Sequence, residues 1–293
     1  MAQYRYRVVD VFTRNRFEGN QLAVFLDSAG IDAAQMQRIA NEMNLSETVF
    51  LQPTNKPECA TRLRIFTPRK EMDFAGHPTI GTASVLLQAG LVPQDSKHFF
   101  VEENVGPIAI RVDRHGVDTT LWLDTPKIEM RGSVPPELAA RLLQVETSAL
   151  FDVPAEVLDA GNPTLFLPLR TPELVDSITF SLQTWPEVKR HLRSSMCVFA
   201  FAPTQYGAYS RMFAPDYGVP EDPATGSSTG PLAAYMMRHG MVSSADGTRF
   251  ISEQGTKMGR RSLLHVAIVG DRGSEAIRVG GEVTPVLEGV LTL

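Results

Sequence analysis

Three short segments of this 293-residue chain bring together side chains that can move protons or hold anions. The first is Leu45–Leu51. Read as a strand, its two-residue period sets Glu47 on one face with Leu45, Val49 and Leu51. A carboxyl on an apolar face is either paired or desolvated, and desolvation raises its pKa. A carboxyl tuned towards neutral pH suits general acid/base chemistry. The alternative is a solvated Ser46-Glu47 turn with no chemical role.

The second feature is a pair of helix starts, Phe74-Ala75-Gly76-His77-Pro78 and Glu221-Asp222-Pro223-Ala224-Thr225-Gly226-Ser227. Free backbone N–H groups and the helix dipole make such ends sites for a carboxylate or a developing oxyanion. If the two starts face one cleft, a small carboxylic acid fits there. Otherwise His77 and Asp222 serve only as caps. Pro231 sets the second start near Ser227, because proline sits poorly beyond the first turn.

The third is Gly226-Ser227-Ser228-Thr229-Gly230, which matches the G-x-S-x-G nucleophile elbow of serine hydrolases. An elbow needs a strand before it, yet Pro215–Pro223 holds three prolines and reads as strand-free. An Asp and then a His must also follow. His239 does follow, as the end of the same helix. A serine hydrolase is therefore one rival reading, and a carboxylate-binding protein without chemistry is another.

The elements that position these residues alternate between strand and helix. Tyr6–Phe12, Gln21–Leu26, Leu45–Leu51 and Thr61–Thr67 read as strands. Asp32 caps a helix, with Gln35 completing a capping box and Met36, Ile39, Ala40 and Met43 forming its apolar stripe. Gly76–Gly90 carries no charge and is apolar all round, so it reads as a buried helix with Pro78 at its first position. Asp124–Glu137 has the composition of a linker.

The second half then echoes the first. Gly19-Asn20 matches Gly161-Asn162, Phe66-Thr67-Pro68 matches Phe213-Ala214-Pro215, His77-Pro78 matches Asp222-Pro223, and Ala89-Gly90 matches His239-Gly240. Four matches in one order indicate an internal duplication.

Composition narrows the class further. Net charge is −5 with no basic block, which argues against a nucleic-acid partner. No apolar run approaches a membrane span. Cys59 and Cys197 read as two structural thiols of a cytoplasmic protein. No His/Cys cluster has metal-ligand spacing, and Gly270-Asp271-Arg272-Gly273 lacks the spacing of a nucleotide loop, so neither metal nor cofactor is expected.

Asp10-Val11-Phe12, Gly19-Asn20, Asn41–Val49, Arg64–Thr82, Arg211–Leu232 and Gly255–Ser262 together resemble the PhzF family of phenazine biosynthesis, within the diaminopimelate-epimerase-like fold. The ordered combination of LSET, FAGHP and EDPATGS is highly specific and spans nearly the whole chain. The resemblance implies a duplicated α+β fold, each domain a rolled mixed sheet around a central helix, with the active site between domains. The duplication sets a first domain at 1–128 and a second at 129–281, and the resemblance implies that a final strand, within 282–293, returns to the first. The resemblance also implies a homodimer.

In the family, the Glu matching Glu47 is the acid/base of a cofactor-free isomerisation. Positions matching His77, Asp222 and Ser227 assist it, and Ser46, Gly76 and Gly226 help hold substrate. The phenazine enzyme isomerises trans-2,3-dihydro-3-hydroxyanthranilate. The epimerase cousins use two thiols at the helix starts, where this chain has none. Many members serve no phenazine pathway, so the resemblance leaves the substrate open.

Overall fold

The computed structural model describes residues 1–116, 118–193, 196–270 and 276–293, and the chain divides into two units. One is Met1–Asp124 with Gly280–Leu293, and the other is Thr125–Val279.

In the first unit, β1 (Gln3–Val11) runs antiparallel to β2 (Asn20–Phe25), with Val11 opposite Asn20. Gly19 makes the intervening turn at φ +68°, where a Cβ would lie 2.4 Å from the Val11 carbonyl oxygen. Helix α1 (Ala33–Met43) follows, capped by Asp32, whose carboxylate accepts the Gln35 N–H at 2.8 Å. Of the stripe the sequence spacing predicts, Met36, Ile39 and Ala40 are buried and Met43 is partly buried, and it packs over Phe25, Phe50 and Phe66. Asn44 ends α1 in the left-handed conformation at φ 51°. Within three residues β3 (Glu47–Gln52) begins, parallel to β2, with Leu22 beside Glu47.

Strand β4 (Cys59–Phe66) returns antiparallel to β3 and carries the short β5 (Glu71–Met72) on its far side. Helix α2 (Gly76–Gln88) crosses from there to β6 (His98–Glu103), which lies parallel to β4. β7 (Gly106–His115) and β8 (Asp118–Asp124) complete the meander. Every residue of α2 except Ser84 and Gln88 is buried, so the sheet wraps it as its apolar composition requires. At Gly81 the helix touches the sheet: a Cβ there would meet Leu22 Cδ2 at 2.5 Å and Val11 Cγ2 at 2.7 Å. Pro78 is the third helical residue rather than the first, which is tolerated because the first four N–H groups of a helix have no partner within it.

The second unit holds β9 (Glu129–Val134), α3 (Pro136–Leu143), β10 (Ala155–Asp159), β11 (Thr164–Pro168), α4 (Pro172–Ser177) and α5 (Trp185–Leu192). It continues through β12 (Cys197–Thr204), β13 (Gly207–Ala214), β14 (Val219–Asp222), α6 (Gly226–Arg238), β15 (Arg249–Gln254) and β16 (Ser262–Val269). β17 (Ala276–Gly281) leads back to the first unit, where β18 (Val283–Thr292) pairs antiparallel along β1. Leu138, Leu142, Trp185 and Val188 pack on one face of this unit's sheet, and Tyr235 of α6 meets Phe166, Phe199 and Phe201 on the other.

The duplication extends to hydrogen bonds. β11 and β12 are parallel as β2 and β3 are, and β13 and β15 as β4 and β6 are. Arg64 grips Glu71 through two bonds of 2.8 and 2.7 Å, and Arg211 grips Glu221 through two of 2.8 Å. Each guanidinium also lies over the phenylalanine two residues on, Phe66 at 5.2 Å and Phe213 at 5.1 Å.

Three readings from the sequence are corrected. The central helices align Gly76 with Gly226 and His77 with Ser227, so the match of His77-Pro78 to Asp222-Pro223 is out of register. Asp222 instead ends β14, the counterpart of β5. The stretch read as a linker, Asp124–Glu137, contains β9, whose exposed side chains conceal its pairing with β10. Pro215–Pro223 likewise contains a strand, β14. The Gly270–Gly273 segment lies largely outside the described residues.

Candidate active site

Within the first unit, β2 and β3 begin at one end of the sheet, because they are parallel and Leu22 lies beside Glu47. The start of α2 comes to the same place. Three element starts thus bring Asn20, Glu47 and His77 together. His77 Nε2 lies 3.2 Å from Glu47 Oε2, and Asn20 Nδ2 lies 3.4 Å from His77 Nδ1. The Glu47–His77 separation is that of a hydrogen bond without its alignment. Glu47 keeps 16% of its side chain exposed against 5% for His77, while its Oε2, the oxygen beside His77, is itself buried.

Burial pushes the His77 imidazole down to about 3, outweighing the Gln21 carbonyl bond that favours its charged form. The ring is therefore neutral at physiological pH, and its contact with Glu47 is not an ion pair. Ser46, half-buried, immediately precedes Glu47, and Gly76 is the first residue of α2. No side chain caps α2 at Ala75, so the N–H groups of its first turn face outward along the helix axis with the dipole behind them.

In the second unit the equivalent place holds a different set. Asn162, the counterpart of Asn20, donates to Ser227 Oγ at 3.1 Å, and its Oδ1 accepts from Cys197 Sγ at 3.5 Å. Asp222 is buried, and its Oδ2 accepts from Thr225 Oγ1 at 2.5 Å. Gln254 closes the group: its Oε1 accepts the Thr225 N–H at 3.1 Å and its Nε2 donates to the Asp222 carbonyl at 2.6 Å. Gly226 and Ser227 form the first turn of α6. Asp222 thus bonds to the residue just ahead of the helix.

The elbow serine does not fit a nucleophile. Ser228 lies within α6, fully buried, and shares a 2.8 Å hydrogen bond with Thr164 Oγ1. His239, the C-cap of that helix, meets Glu156 at 3.0 Å at the opposite end. Cys59 and Cys197 are buried and form no disulfide. Among the described residues no three His, Cys, Asp or Glu side chains gather as metal ligands would, and no helix is long and apolar enough to cross a membrane.

Sequence reasoning missed four residues. Asn20 and Asn162 were legible as a repeat but not as the groups that hold the second residue of each central helix. Glu103 and Gln254 end β6 and β15, on the buried face of strands with the same alternating burial. The face argument applied to Glu47 finds Glu103 as well, since Phe99 and Val101 share its side of the strand.

A duplicated unit with a rolled mixed sheet around a central helix is the diaminopimelate-epimerase-like fold, an architecture of isomerases and epimerases. A hydroxyproline epimerase of Agrobacterium vitis, crystallised with trans-4-hydroxy-L-proline, superposes with a TM-score of 0.70 over 99% of this chain and 91% of its own, at 12% identity. A PhzF-family protein of Bacillus anthracis superposes with a TM-score of 0.90 over 100% of both chains, at 24% identity. The profile of the phenazine biosynthesis-like protein family, PhzC-PhzF, matches residues 9–289. The trans-2,3-dihydro-3-hydroxyanthranilate isomerase of Pseudomonas chlororaphis is 36% identical over 281 residues, covering 94% of each chain. The chain belongs to the phenazine biosynthesis-like family and is an isomerase.

Proposed function

We propose that this isomerase moves a proton between two carbons of a small cyclic or conjugated carboxylic acid, with Glu47 as the acid/base and no cofactor. The observation that carries the reading is the Glu47–His77 pair at 3.2 Å, a carboxyl held against a buried neutral imidazole. The Glu47 carboxylate removes a proton from a substrate carbon, and the C–H electron pair enters the conjugated system. The carboxylic acid so formed returns that proton to a second carbon, and the enzyme ends as it began.

His77 stays neutral through the cycle and acts as a polar partner to either form of Glu47. Ser46 and the backbone at Gly76 orient the substrate, and the first turn of α2 favours its carboxylate and the charge that develops on deprotonation. Asp222, Gly226 and Ser227 complete the proposed set. The repeat, in which a Gly opens each central helix and an Asn holds the residue after it, supports Gly226 and Ser227, and the support for Asp222 is its buried carboxyl bonded to Thr225 just ahead of α6.

Trans-2,3-dihydro-3-hydroxyanthranilate is the first substrate to try, because a relative at 36% identity bears its name. The proposed setting is a cytoplasmic homodimer, and sedimentation resolves the assembly. Enzyme and substrate in deuterated water, followed by ultraviolet spectrum and mass, test the reaction. Glu47→Gln is expected to lower turnover by about 10²–10⁴-fold with the thermal melt near wild type. Near-normal turnover in that variant sinks the assignment. Binding without any spectral change would leave a carboxylate-binding protein.

A further inference from the structure

Glu103 ends β6 beneath the start of α2, on the inner face of its strand. Its Oε1 is hydrogen-bonded to Thr79 Oγ1. Thr79 Oγ1 also lies 2.6 Å from the Ala75 carbonyl oxygen. A hydroxyl has one proton, and it cannot serve two acceptors at once. Given to Ala75, it leaves the contact with Glu103 without a hydrogen unless the carboxyl brings its own. The other carboxyl oxygen, Oε2, is buried with no hydrogen-bond partner, a costly place for half of a negative charge.

Among the described residues no cation pairs with Glu103. From β4, Arg62 turns to Asn104 at 3.0 Å, and Lys56 lies 3.8 Å from Glu102. Asp73 meets Asn104, β7 places Gly106 opposite Glu103, and on α2 His77 faces Glu47. Burial accordingly raises the Glu103 carboxyl to about 8, against the pull of the Thr79 hydroxyl and the Ala75 N–H.

The second unit supplies the comparison. Gln254 ends β15 as Glu103 ends β6, and it faces Thr225, the residue ahead of α6, as Glu103 faces Ala75, the residue ahead of α2. There the neutral amide accepts the backbone N–H through Oε1 and donates through Nε2 to Thr225 Oγ1 at 3.1 Å. Thr229 repeats the Thr79 back-bond, donating to the Thr225 carbonyl at 3.0 Å. A neutral group that both donates and accepts is what this position holds wherever its protons are unambiguous.

We infer that Glu103 works as a protonated, neutral clamp on the start of α2, the counterpart of Gln254, and is a positioning residue for Gly76 and His77. Its kinetic consequence rests on the proposed Glu47–His77 chemistry, but its protonation does not.

Two measurements decide it. In denaturant unfolding across pH, the folding constant of wild type relative to Glu103→Gln should fall by up to tenfold per pH unit between about 4.5 and about 8, then level off. Infrared difference spectra of wild type minus Glu103→Gln at neutral pH should show the C=O band of a protonated carboxylic acid. Parallel pH dependences of the two proteins, or a carboxylate band in its place, overturn the inference. So does failure of Glu103→Gln to fold, since an isosteric amide is what the site is said to accept. On the kinetic side, Glu103→Gln should keep wild-type kcat at neutral pH and hold it above about pH 8, where the wild-type value falls. Glu103→Leu should lose kcat at every pH with KM little changed. Should Glu47→Gln prove active, the unfolding and infrared results still decide the state of Glu103.

Discussion

The charge state of His77 can be read from stability alone, without substrate. In the fold its imidazole titrates near 3 instead of 6.5, because burial disfavours the cation. The unfolded chain therefore binds one more proton than the fold between those values. A group depressed in this way contributes stability that is present above its unfolded pKa and is lost as pH falls towards the folded value. At about 1.4 kcal/mol per pH unit, the full span comes to roughly 5 kcal/mol. That is large against the 5–15 kcal/mol typical of whole domains.

Glu103 has the opposite sign. Its carboxyl is raised to about 8, so its contribution is complete below about 4.5 and is lost as pH rises towards 8. From about 4.5 to 6.5 the two slopes cancel, and the first unit should be most stable there. Urea unfolding of wild type and His77→Gln from about pH 3 to pH 8 is the assay. Below about pH 6.5 the wild-type folding constant should fall relative to the variant by up to tenfold per pH unit. Equal proton uptake by the two proteins would mean that His77 titrates in the fold as it does in the unfolded chain. A wild type that instead gains stability relative to the variant as pH falls would make Glu47–His77 an ion pair, and either result would refute the burial argument.

Other substitutions probe other parts. Gly81→Ala forces a Cβ to within 2.5 Å of Leu22 Cδ2 where α2 meets the sheet, and overpacking of this kind should cost about 1–3 kcal/mol in denaturant unfolding. Ser228→Ala should leave isomerase turnover intact and cost about 1 kcal/mol for the lost bond to Thr164. A fluorophosphonate probe should not label Ser228 in the wild type. Arg211→Ala removes the partner of half-buried Glu221 and three backbone carbonyl contacts, so about 3 kcal/mol of stability should disappear.

How much of this was legible depends on how local each determinant is. α2 could be read directly, since a charge-free apolar stretch closed by glycine has few other uses. The strand around Glu47 could be read in outline, Leu45–Leu51 against the observed Glu47–Gln52, but its burial on both faces hides the alternation expected to set Glu47 inward. The register of the second helix could not be. Asp222-Pro223 imitates His77-Pro78, but helix register follows from burial along the whole segment, which sets Thr229 against Thr79 and Ser227 against His77. β9 was hidden for the reverse reason: its side chains are mostly exposed, and its place comes from backbone pairing with β10. Glu102-Glu103 reads as two solvated charges until the alternation of β6 turns Glu103 inward beside Phe99 and Val101.

The duplication also separates framework from chemistry. Whatever both units keep is needed to hold a helix start inside a rolled sheet: the Arg–Glu grip under β5 and β14, the Gly-Asn turn, the threonine back-bond at Thr79 and Thr229. Where the units differ, the framework permits a choice. Ser227 takes the place of His77 and Gln254 that of Glu103, each exchanging a titratable side chain for one that only hydrogen-bonds. The titratable versions fall in the unit that carries Glu47, and burial drives both to their neutral forms. A base needs surroundings that do not change charge as it gains and loses a proton. In the proposed chemistry, His77 and Glu103, one buried as a neutral base and the other as a neutral acid, would provide them to Glu47.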